Sequence, residues 1–451
     1  MKKITIIGAG LAGSLLSLYL ARRGYDVDVY EARGDVRKTR EEGGRSINLA
    51  LSCRGLTGLA TMGLQQDVDK IIVPMRARAI HELQGEVSYQ PFGRHENEHI
   101  NAVLRSDLNA LLLDQADLFP KIHIFFDMKL DEFDVHNQLL HFKHKDGSRH
   151  KVHYHHVLGA DGATSTLRET LKKEQLIDYT REFLSHGYKE LHIGADHGAD
   201  MAREHLHLWP RDSFMLLGNP NRDDSITGSL FLPHKDQYGF EALNDRESLT
   251  AFFKQFFPDV HQAMPDLVDE FFSNPTGNMS TIKCSPWYYR DQCLLIGDAA
   301  HGVIPFFGQG MNSAFEDCRI LDELLDQYHD NWEQVMPAFY TSRKNNTDAV
   351  AAMSMDNFHE IHHNIRDKKF NLKKQVEHQL MTIYPERYIS KHVMVMFTNT
   401  PYAQAKAHGE VQATFLDEIC ASAESLDDMD WKKVDKAMVE YDKKLADLGS
   451  L

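Results

Sequence analysis

The sequence predicts an α/β fold organised around a doubly wound βαβ domain. Three observations predict it: an N-terminal run of strand, glycine loop, helix and strand, and two later apolar strands that end in Asp-Gly and in Gly-Asp. The composition agrees, since 42% of the residues are apolar and 26% are charged, as in ordinary globular proteins. A length of 451 residues suggests two or three structural units.

The βαβ unit occupies the N-terminus. Residues 3–7 form a β-branched run typical of a buried parallel strand, and the loop GAGLAG follows at 8–13. Leucines at helical spacing fill 11–23, and a second strand at 25–30 ends at Glu31. In such a loop the first glycine makes a tight turn, the second lets backbone N–H groups approach a pyrophosphate, and the third lets helix and strand pack closely. Because Glu31 can accept hydrogen bonds from a ribose and disfavours a 2′-phosphate, the unit predicts FAD or NAD rather than NADP.

A secretory signal is the alternative interpretation of this N-terminus, since a basic start precedes an apolar stretch at 4–21. Its glycines would weaken a signal helix, and no small-residue cleavage site follows. No window reaches the ~18 apolar residues of a membrane span, and the five cysteines lack CxxC spacing, which indicates reduced thiols. The formal charge of −16, without a basic block, argues against nucleic acid and anionic membranes as partners. We therefore expect a soluble, cytoplasmic protein.

Two further motifs follow the βαβ unit. An apolar strand in 157–163 ends at Asp161-Gly162, and another in 293–301 ends at Gly297-Asp298. The segment PFFGQGMN at 305–312 then opens a helix expected at 313–325. A second GxGxxG is absent from the sequence, so enzymes with one such fold for each of two dinucleotides fit poorly.

With these motifs in this order, the sequence resembles the flavin-dependent aromatic hydroxylases that have one dinucleotide-binding domain. More narrowly it resembles the kynurenine 3-monooxygenase family from residue 1 to about 410. The segments that carry the narrower resemblance are 44–55, 74–81, 186–191, 206–211, 229–233, 305–312 and 315–318. The resemblance implies FAD as the resident cofactor and NADPH and O2 as co-substrates. It also implies hydroxylation of L-kynurenine to 3-hydroxykynurenine, by a hydroperoxide formed at flavin C4a after NADPH reduces FAD.

The resemblance also implies which residues meet the cofactor. Asp298 would hold the ribityl chain, and the helix starting near Gly310 would direct its dipole at the flavin N1/C2 carbonyl. Arg105 would lie near the flavin, and Asp161-Gly162 would approach both FAD and NADPH. The complete expected set is Gly8, Gly10, Leu11, Ala12, Gly13, Glu31, Arg105, Asp161, Gly162, Asp298, Gly310, Met311 and Asn312.

On the substrate side, the resemblance aligns Arg78 with an arginine that binds the amino-acid carboxylate, and a guanidinium suits that bidentate contact. Asn357 aligns with a family asparagine. Two family tyrosines fall at Phe92 and His392, which are departures. Phe92 would lose a hydrogen bond of about 1 kcal/mol, whereas His392 could still donate to a carboxylate, more strongly when protonated.

Ring hydroxylation needs orientation and a dry pocket rather than an obligatory catalytic base. The resemblance implies that Pro305, Phe306 and Gln309 lie at the reacting centre. The other residues expected to line the pocket are Phe231, Phe307, Met215 and Leu217.

Two histidine patterns point elsewhere. His359-Glu360-Ile361-His362-His363 satisfies the HExxH pattern of zinc proteases, although no third ligand is apparent. Six more histidines flank a hairpin turn at Asp146-Gly147 and are expected on solvated strand faces, with a metal site as the alternative: His141, His144, His150, His153, His155 and His156. We expect no metal, and keep open a flavin hydroxylase acting on another aromatic or anthranilate-like substrate, or a non-hydroxylating flavoprotein.

The expected organisation interleaves two domains and adds a helical region. The FAD-binding domain takes 1–75, 100–180 and 280–330, and an inserted mixed-sheet substrate domain takes 76–99 and 181–279. Residues 331–451 are expected to be a helical C-terminal region. Its last part, 427–451, is charged and predicts a solvated amphipathic helix or a loose tail, not the membrane anchor found in animal members of the family. The oligomeric state stays open.

Overall fold

The computed structural model describes residues 2–38, 47–95, 97–198, 201–361 and 367–449. The strands are β1 Lys3–Ile7, β2 Asp26–Tyr30, β3 Asn48–Leu51, β4 Val73–Met75, β5 Ala77–His81, β6 Val87–Pro91, β7 Ile100–Leu104, β8 Ile122–Phe125, β9 Met128–Asp134, β10 Leu139–His144, β11 Arg149–His153, β12 His156–Gly159, β13 Asp178–Ile193, β14 His205–Pro210, β15 Met215–Pro220, β16 Ile226–Pro233, β17 Gly277–Ser285, β18 Tyr288–Tyr289 and β19 Cys293–Leu295.

The α-helices are α1 Leu11–Arg22, α2 Cys53–Thr61, α3 Gln65–Val68, α4 Arg105–Asp117, α5 Thr166–Lys173, α6 Ala195–Gly198, α7 Arg246–Phe256, α8 Pro258–Ala263, α9 Leu267–Ser273, α10 Asp298–His301, α11 Gly310–Gln327, α12 Trp332–His359, α13 Lys368–Ile383, α14 Lys391–Phe397, α15 Tyr402–Ile419 and α16 Trp431–Asp447. Short 3-10 helices lie at Gly162–Thr164, Pro305–Phe307 and Leu426–Asp428.

Contacts between Cα atoms divide the chain into two compact units. The first consists of 1–72, 102–184 and 280–351, and the second of 73–101, 185–279 and 352–451. From the sequence, borders are expected after residues 75, 99, 180, 279 and 330. The contacts assign residues up to 351 to the first unit and residues 352–451 to the second. The border at 351 falls inside α12, because one continuous helix carries the chain out of the first unit and into the second.

The first unit contains a six-stranded sheet in the order β18-β19-β12-β1-β2-β8. Every pairing in it is parallel except that of the edge strand β18 with β19. Strands β1 and β2 are buried almost throughout, which explains why the sequence shows apolar runs there rather than alternation. The structure confirms the doubly wound βαβ fold.

A smaller antiparallel sheet in the first unit has the order β11-β10-β9. Its β10–β11 hairpin turns at Asp146-Gly147, where Gly147 adopts a φ of +92° that suits glycine. All six flanking histidines are exposed or half-buried, and four of them lie on this sheet. His156 differs, since its ring stacks on Trp332 and hydrogen-bonds the carbonyl of Asp291. Within the described residues, no group of three or more histidine, cysteine or acidic side chains is arranged to hold a metal ion.

The second unit is built on a mixed seven-stranded sheet in the order β17-β13-β16-β15-β14-β5-β6. The pairing of β14 with β5 is parallel, and the pairings of β14 with β15, β15 with β16 and β16 with β13 are antiparallel. One face of the sheet supplies Leu191, Trp209, Leu216 and Leu230 to a core shared with helices α7, α8 and α9. The opposite face carries the expected substrate residues.

Helices α13–α16 share a separate apolar cluster in the second unit. Helix α16 buries Val434, Met438 and Tyr441 along one side, so the charged C-terminal segment forms an amphipathic helix with a packed stripe rather than a loose tail. In the described part of the chain, no helix combines the length and the apolar character that crossing a membrane requires.

Candidate functional site

The glycine loop has the geometry that its sequence predicts. Gly8 has a φ of +102°, and its N–H donates to the carbonyl of Tyr30 at 2.8 Å. A Cβ on Gly13 would lie 1.9 Å from the Gly8 carbonyl oxygen, so only glycine allows helix α1 to pack this closely. A Cβ on Gly10 would instead project into open space. The loop therefore leaves its second glycine accessible to a ligand.

Helix α1 starts at this open space. No side chain caps it, and its first turn, which holds Leu11, Ala12 and Gly13, contains no acidic residue. Its initial N–H groups, which have no partner inside the helix, are therefore available to an anion such as a pyrophosphate. Ser14 Oγ and Asn109 Nδ2 both donate to the Ala9 carbonyl, at 3.0 and 3.2 Å, and hold the loop from two sides. Sequence reasoning missed Asn109, which lies on α4.

Glu31 is buried at the end of β2, where the sequence places it. Its carboxylate accepts hydrogen bonds from the N–H of Ala9 at 2.8 Å and from the N–H and Nε of Arg33 at 3.0 and 2.8 Å. Burial alone raises the pKa of Glu31, but Arg33 and these amides outweigh it and hold that pKa below its ordinary value. A carboxylate offers about four lone-pair positions, so an ionised Glu31 can still accept from a ribose hydroxyl.

The second motif lies directly against the glycine loop, since a Cβ on Gly8 would meet Asp161 Cα at 3.1 Å. Asp161 Oδ2 accepts the N–H of Thr166 at 2.8 Å and so adds to the capping of α5, whose N-cap residue is Ser165. Burial raises the pKa of Asp161 despite these amides. Gly162 begins a 3-10 turn with a φ of +76°. The structure thus gives the Asp161 carboxylate a helix-capping role that the sequence interpretation lacked.

The third motif joins the same place. Gly297 has a φ of +59°, and a Cβ on it would lie 3.5 Å from Ala12 Cβ and 3.2 Å from Ala314 Cβ. Asp298 follows with an exposed side chain, and its Oδ1 lies 4.0 Å from where a Cβ on Gly310 would be. The helix that Gly310 begins, α11, has no side-chain cap and no acid in its first turn. Three motifs distant in sequence therefore meet at two uncapped helix starts.

Within the segment 305–312, the structure shows different environments for residues that the sequence analysis assigned to one site. Asn312 is fully buried, with Nδ2 donating to the carbonyls of Ala50 and Gly308 at 2.8 Å each and Oδ1 accepting the N–H of Ser52 at 2.9 Å. The Asn312 side chain therefore fixes the segment, which leaves its backbone as the part that could face a cofactor. Gln309 is also fully buried, and its Nε2 donates to Ser52 Oγ at 3.3 Å.

The remaining expected residues of the segment differ in exposure. Phe306 and Phe307 are buried, Met311 is half-buried, and Pro305 is exposed. Arg105 is an exposed residue at the first position of α4, and no ion pair joins it to any carboxylate in the described ranges. An exposed arginine with this freedom can meet an anionic or electron-rich part of a ligand.

A buried ionic network supports the third motif, and sequence reasoning missed it. Glu316 pairs with Arg54 at 2.7 Å and also with Arg343. Asp317 accepts from Arg343 Nε at 2.7 Å and from His301 Nε2 at 2.6 Å.

The network reaches the motif through one bond, because Asp317 Oδ2 also accepts the N–H of Gly297 at 3.1 Å. Burial raises the pKa values of both acids, but the surrounding cations outweigh it and hold them below their ordinary range. The sequence signal that could have indicated this network is the pair of consecutive acids in a helix with apolar neighbours. The partners of these acids lie on α2, α10 and α12.

The second unit gathers the expected substrate residues on one sheet face. Cross-strand pairs point to the same side of a sheet. Arg78 pairs with Leu206 and Met215 with Phe231, and Leu217 stands two positions beyond Met215 on the same strand. Leu208, two positions beyond Leu206 on β14, pairs with Leu217 and so connects the Arg78 side of this face with the Met215 side. Register therefore places Arg78, Met215, Leu217 and Phe231 together on the face turned away from α7–α9.

At one end of this face, three side chains are stacked. The Arg78 guanidinium lies 5.0 Å from the centre of the Phe92 ring, and the His392 ring stacks on Phe92 with centroids 6.0 Å apart and an interplanar angle of 18°. Burial lowers the pKa of Arg78, and Glu360 opposes that shift. No carboxylate of the described residues forms an ion pair with Arg78. Asn357 is half-buried on α12.

The HExxH pattern at 359–363 lies partly outside the residues that the structure describes. His359 is exposed at the end of α12, and His362 and His363 lie outside the described residues. The spacing that suggested a zinc ligand pair therefore has no described counterpart.

The residues of the first unit fit a dinucleotide, because there is open space at Gly10 and because α1 and α11 both begin without a side-chain cap. Comparison with known proteins agrees. The FAD binding domain family matches residues 1–226 and 234–335, which confirms the expected FAD-binding domain. The solved structure of a tetrameric 2-methyl-3-hydroxypyridine-5-carboxylic acid oxygenase is similar with a TM-score of 0.66 at 20% identity, covering 83% of this chain and 96% of that one.

Curated relatives are more similar in sequence. A kynurenine 3-monooxygenase from Legionella pneumophila (strain Corby) is 63% identical over 446 residues, 99% of each chain. The kynurenine 3-monooxygenase of Myxococcus xanthus is 43% identical over 434 residues, 95% of this chain and 93% of the relative. Because this similarity extends over nearly the whole chain, and because the architecture is that of an FAD-binding protein, the chain belongs to the kynurenine 3-monooxygenase family of FAD-dependent hydroxylases.

Proposed function

We propose that this chain is an NADPH- and O2-dependent FAD monooxygenase that hydroxylates L-kynurenine to 3-hydroxykynurenine. Family membership supports the reaction type. The observation that carries the choice of substrate is Arg78: a half-buried guanidinium, stacked on Phe92 and without an ion-pair partner among the described residues. A cation in that state favours a ligand with a carboxylate, which an aromatic amino acid supplies.

The first unit would hold the cofactor. The N–H groups at the start of α1 would bind the pyrophosphate, Glu31 would accept from a ribose hydroxyl, and Asp298 would bind the ribityl hydroxyls. When bound, FAD supplies the redox chemistry that activates O2, which no side chain can do. The first-turn N–H groups of α11 would favour negative charge on the flavin ring.

The second unit would orient the substrate. Arg78 would fix the amino-acid end by bidentate hydrogen bonds, which limits how the aromatic ring can turn. Met215, Leu217 and Phe231 present an apolar surface on the same sheet face, and such a surface excludes water from the ring. The amine of the substrate already activates the neighbouring ring carbon, so these residues need only position it.

The first test is activity with a panel of aromatics. The FAD-loaded protein is mixed with NADPH and L-kynurenine, anthranilate or other aromatic acids, and NADPH oxidation and product mass are followed. L-Kynurenine should stimulate NADPH oxidation and gain one oxygen atom. If another aromatic gains oxygen and L-kynurenine does not, the chain is a related hydroxylase with a different substrate.

The second test concerns Arg78. Loss of a charged hydrogen-bond partner costs roughly 1.5–3 kcal/mol, so Arg78→Ala should raise KM for L-kynurenine by about ten- to 150-fold while the bound FAD is unchanged. The matched control is Arg76→Ala, because Arg76 is exposed and already paired with Glu204 at 2.9 Å. Kynuramine, which lacks the carboxylate, should bind the wild type and Arg78→Ala alike. An unaltered KM in Arg78→Ala would remove the carboxylate assignment.

A further inference from the structure

A histidine completes the stack that begins with Arg78. His392 lies on α14, close to its start, and its ring stacks on Phe92, the same ring that the Arg78 guanidinium contacts. Phe397, one and a half turns later on the same helix, meets the His392 ring edge-on with centroids 6.5 Å apart. An anion bound at Arg78 would therefore approach a second group that can carry positive charge.

Among the described residues, the charges that act on His392 are positive: Arg78 on β5, Lys374 on α13 and Lys391 on α14. The acid Glu360 acts on Arg78 and Lys374. Burial first, and then these three cations, lowers the pKa of His392 well below its ordinary value. Before any ligand binds, the imidazole is therefore neutral at physiological pH.

We propose that His392 couples binding of the substrate carboxylate to the uptake of one proton from solvent. The inference rests on the proposed function, which supplies the carboxylate. A carboxylate beside Arg78 cancels part of the local positive charge, so the penalty on the imidazolium falls. Once protonated, the imidazolium donates a charge-assisted hydrogen bond, which is stronger than a neutral one. The step moves one proton onto an imidazole nitrogen, and nothing is oxidised or reduced.

The direction of the pH effect follows from this linkage. Since the complex binds more protons than the free protein, lower pH favours binding. The dissociation constant for L-kynurenine should fall as pH falls, by at most about tenfold per pH unit, between the pKa of His392 in the complex and its lower value in the free protein. A ligand without a carboxylate should show no such dependence.

The test counts protons directly. FAD-loaded protein without NADPH is titrated with L-kynurenine by calorimetry at pH 7 in phosphate and in Tris, whose ionisation enthalpies differ. The difference in heat gives the number of protons taken up. Wild type should take up close to one proton more than His392→Tyr, which carries the residue that the family resemblance places there. His392→Gln serves as the second variant should the tyrosine disturb folding, and flavin absorbance verifies that each variant is loaded.

The controls separate two failures. Kynuramine should give equal proton numbers in the wild type and both variants. If L-kynurenine binds and is hydroxylated, but the wild type and both variants take up equal numbers of protons, the proton coupling is wrong and the proposed function stands. If L-kynurenine neither binds nor is hydroxylated, the proposed function fails and this inference fails with it.

Discussion

The two units differ in how their buried and half-buried charges are paired. In the first, the buried acids Glu316 and Asp317 meet Arg54, Arg343 and His301 at hydrogen-bonding distance. In the second, Arg78 is stacked on an aromatic ring, and no carboxylate within the described ranges pairs with it. The first arrangement is complete without a ligand, and the second leaves a positive charge for one.

The two arrangements are suited to different tasks. A buried ion pair contributes little net stability against an apolar replacement, but removing one partner leaves an uncompensated charge. A network of this kind therefore holds a backbone in one place, here Gly297, whose N–H donates to Asp317. A cation without an ion-pair partner is costly when buried, and half-burial together with ring stacking moderates that cost at Arg78. A bound carboxylate would supply what is missing.

Asp317→Ala should show the largest effect. It would leave Arg343 and His301 without their carboxylate and Gly297 without its acceptor, and breaking such a buried pair costs about 3–5 kcal/mol. We expect a lower free energy of unfolding and also weaker FAD binding, because the turn before Asp298 loses its support. Urea unfolding measures the first, and titration of the FAD-free protein with FAD, followed by flavin fluorescence, measures the second.

Two variants on the same helix sharpen this result. Glu323→Ala removes an exposed partner of Arg319 and should change stability by less than about 1 kcal/mol. Asp317→Asn keeps an oxygen for the Gly297 N–H but removes the charge. If Asp317→Ala loses stability and binds FAD like the wild type, the network supports the fold without positioning the cofactor loop.

The histidines of the two units extend the comparison. His301 hydrogen-bonds the carboxylate of Asp317, whereas His207 shares a hydrogen bond of 2.9 Å with another imidazole, His81. Burial first, and then His81, lowers the pKa of His207 to about 4. A histidine whose folded pKa is lowered contributes stability above its unfolded pKa, near 6.5, and loses it as pH falls towards the folded value.

His207 should therefore make the protein acid-sensitive. Between pH 7.5 and pH 5 its contribution should fall by about 2 kcal/mol. His207→Gln should lose correspondingly less stability over that interval, measured as the free energy of unfolding in urea. His150→Gln, at an exposed strand position, is the matched control and should follow the wild type. Equal pH dependence in all three proteins would show that His207 titrates normally.

The sequence predicted the parts of the site that depend on local backbone geometry. Gly8 and Gly13 lie where a Cβ would collide with neighbouring backbone, so the glycine pattern carried their roles directly. The meeting of the three motifs also follows from sequence, because the ends of adjacent parallel strands lie at one edge of a sheet.

Partners that are distant in sequence could not be predicted. Arg54 and Glu316 lie on α2 and α11, and no spacing rule links them. Asn312 is expected at the cofactor, and no sequence pattern indicated that its side chain would bond to Ala50, Gly308 and Ser52. The shared face of Arg78 and Phe231 depends on strand register, which alternation alone does not specify.

Phe92→Tyr tests the substrate side with the smallest expected change. The ring keeps its contacts with Arg78 and His392 and gains a hydroxyl, which the family resemblance places there. One added hydrogen bond to the carboxylate is worth about 1 kcal/mol, so the dissociation constant for L-kynurenine should fall about fivefold. Binding of kynuramine should stay the same, since the gain depends on the carboxylate. Because Phe92 is buried, a hydroxyl that finds no partner there would instead weaken binding of both ligands. That outcome would mean that the ligand carboxylate binds Arg78 but lies beyond hydrogen-bonding reach of residue 92. Arg78 and His392 would then bind the carboxylate without a contribution from residue 92.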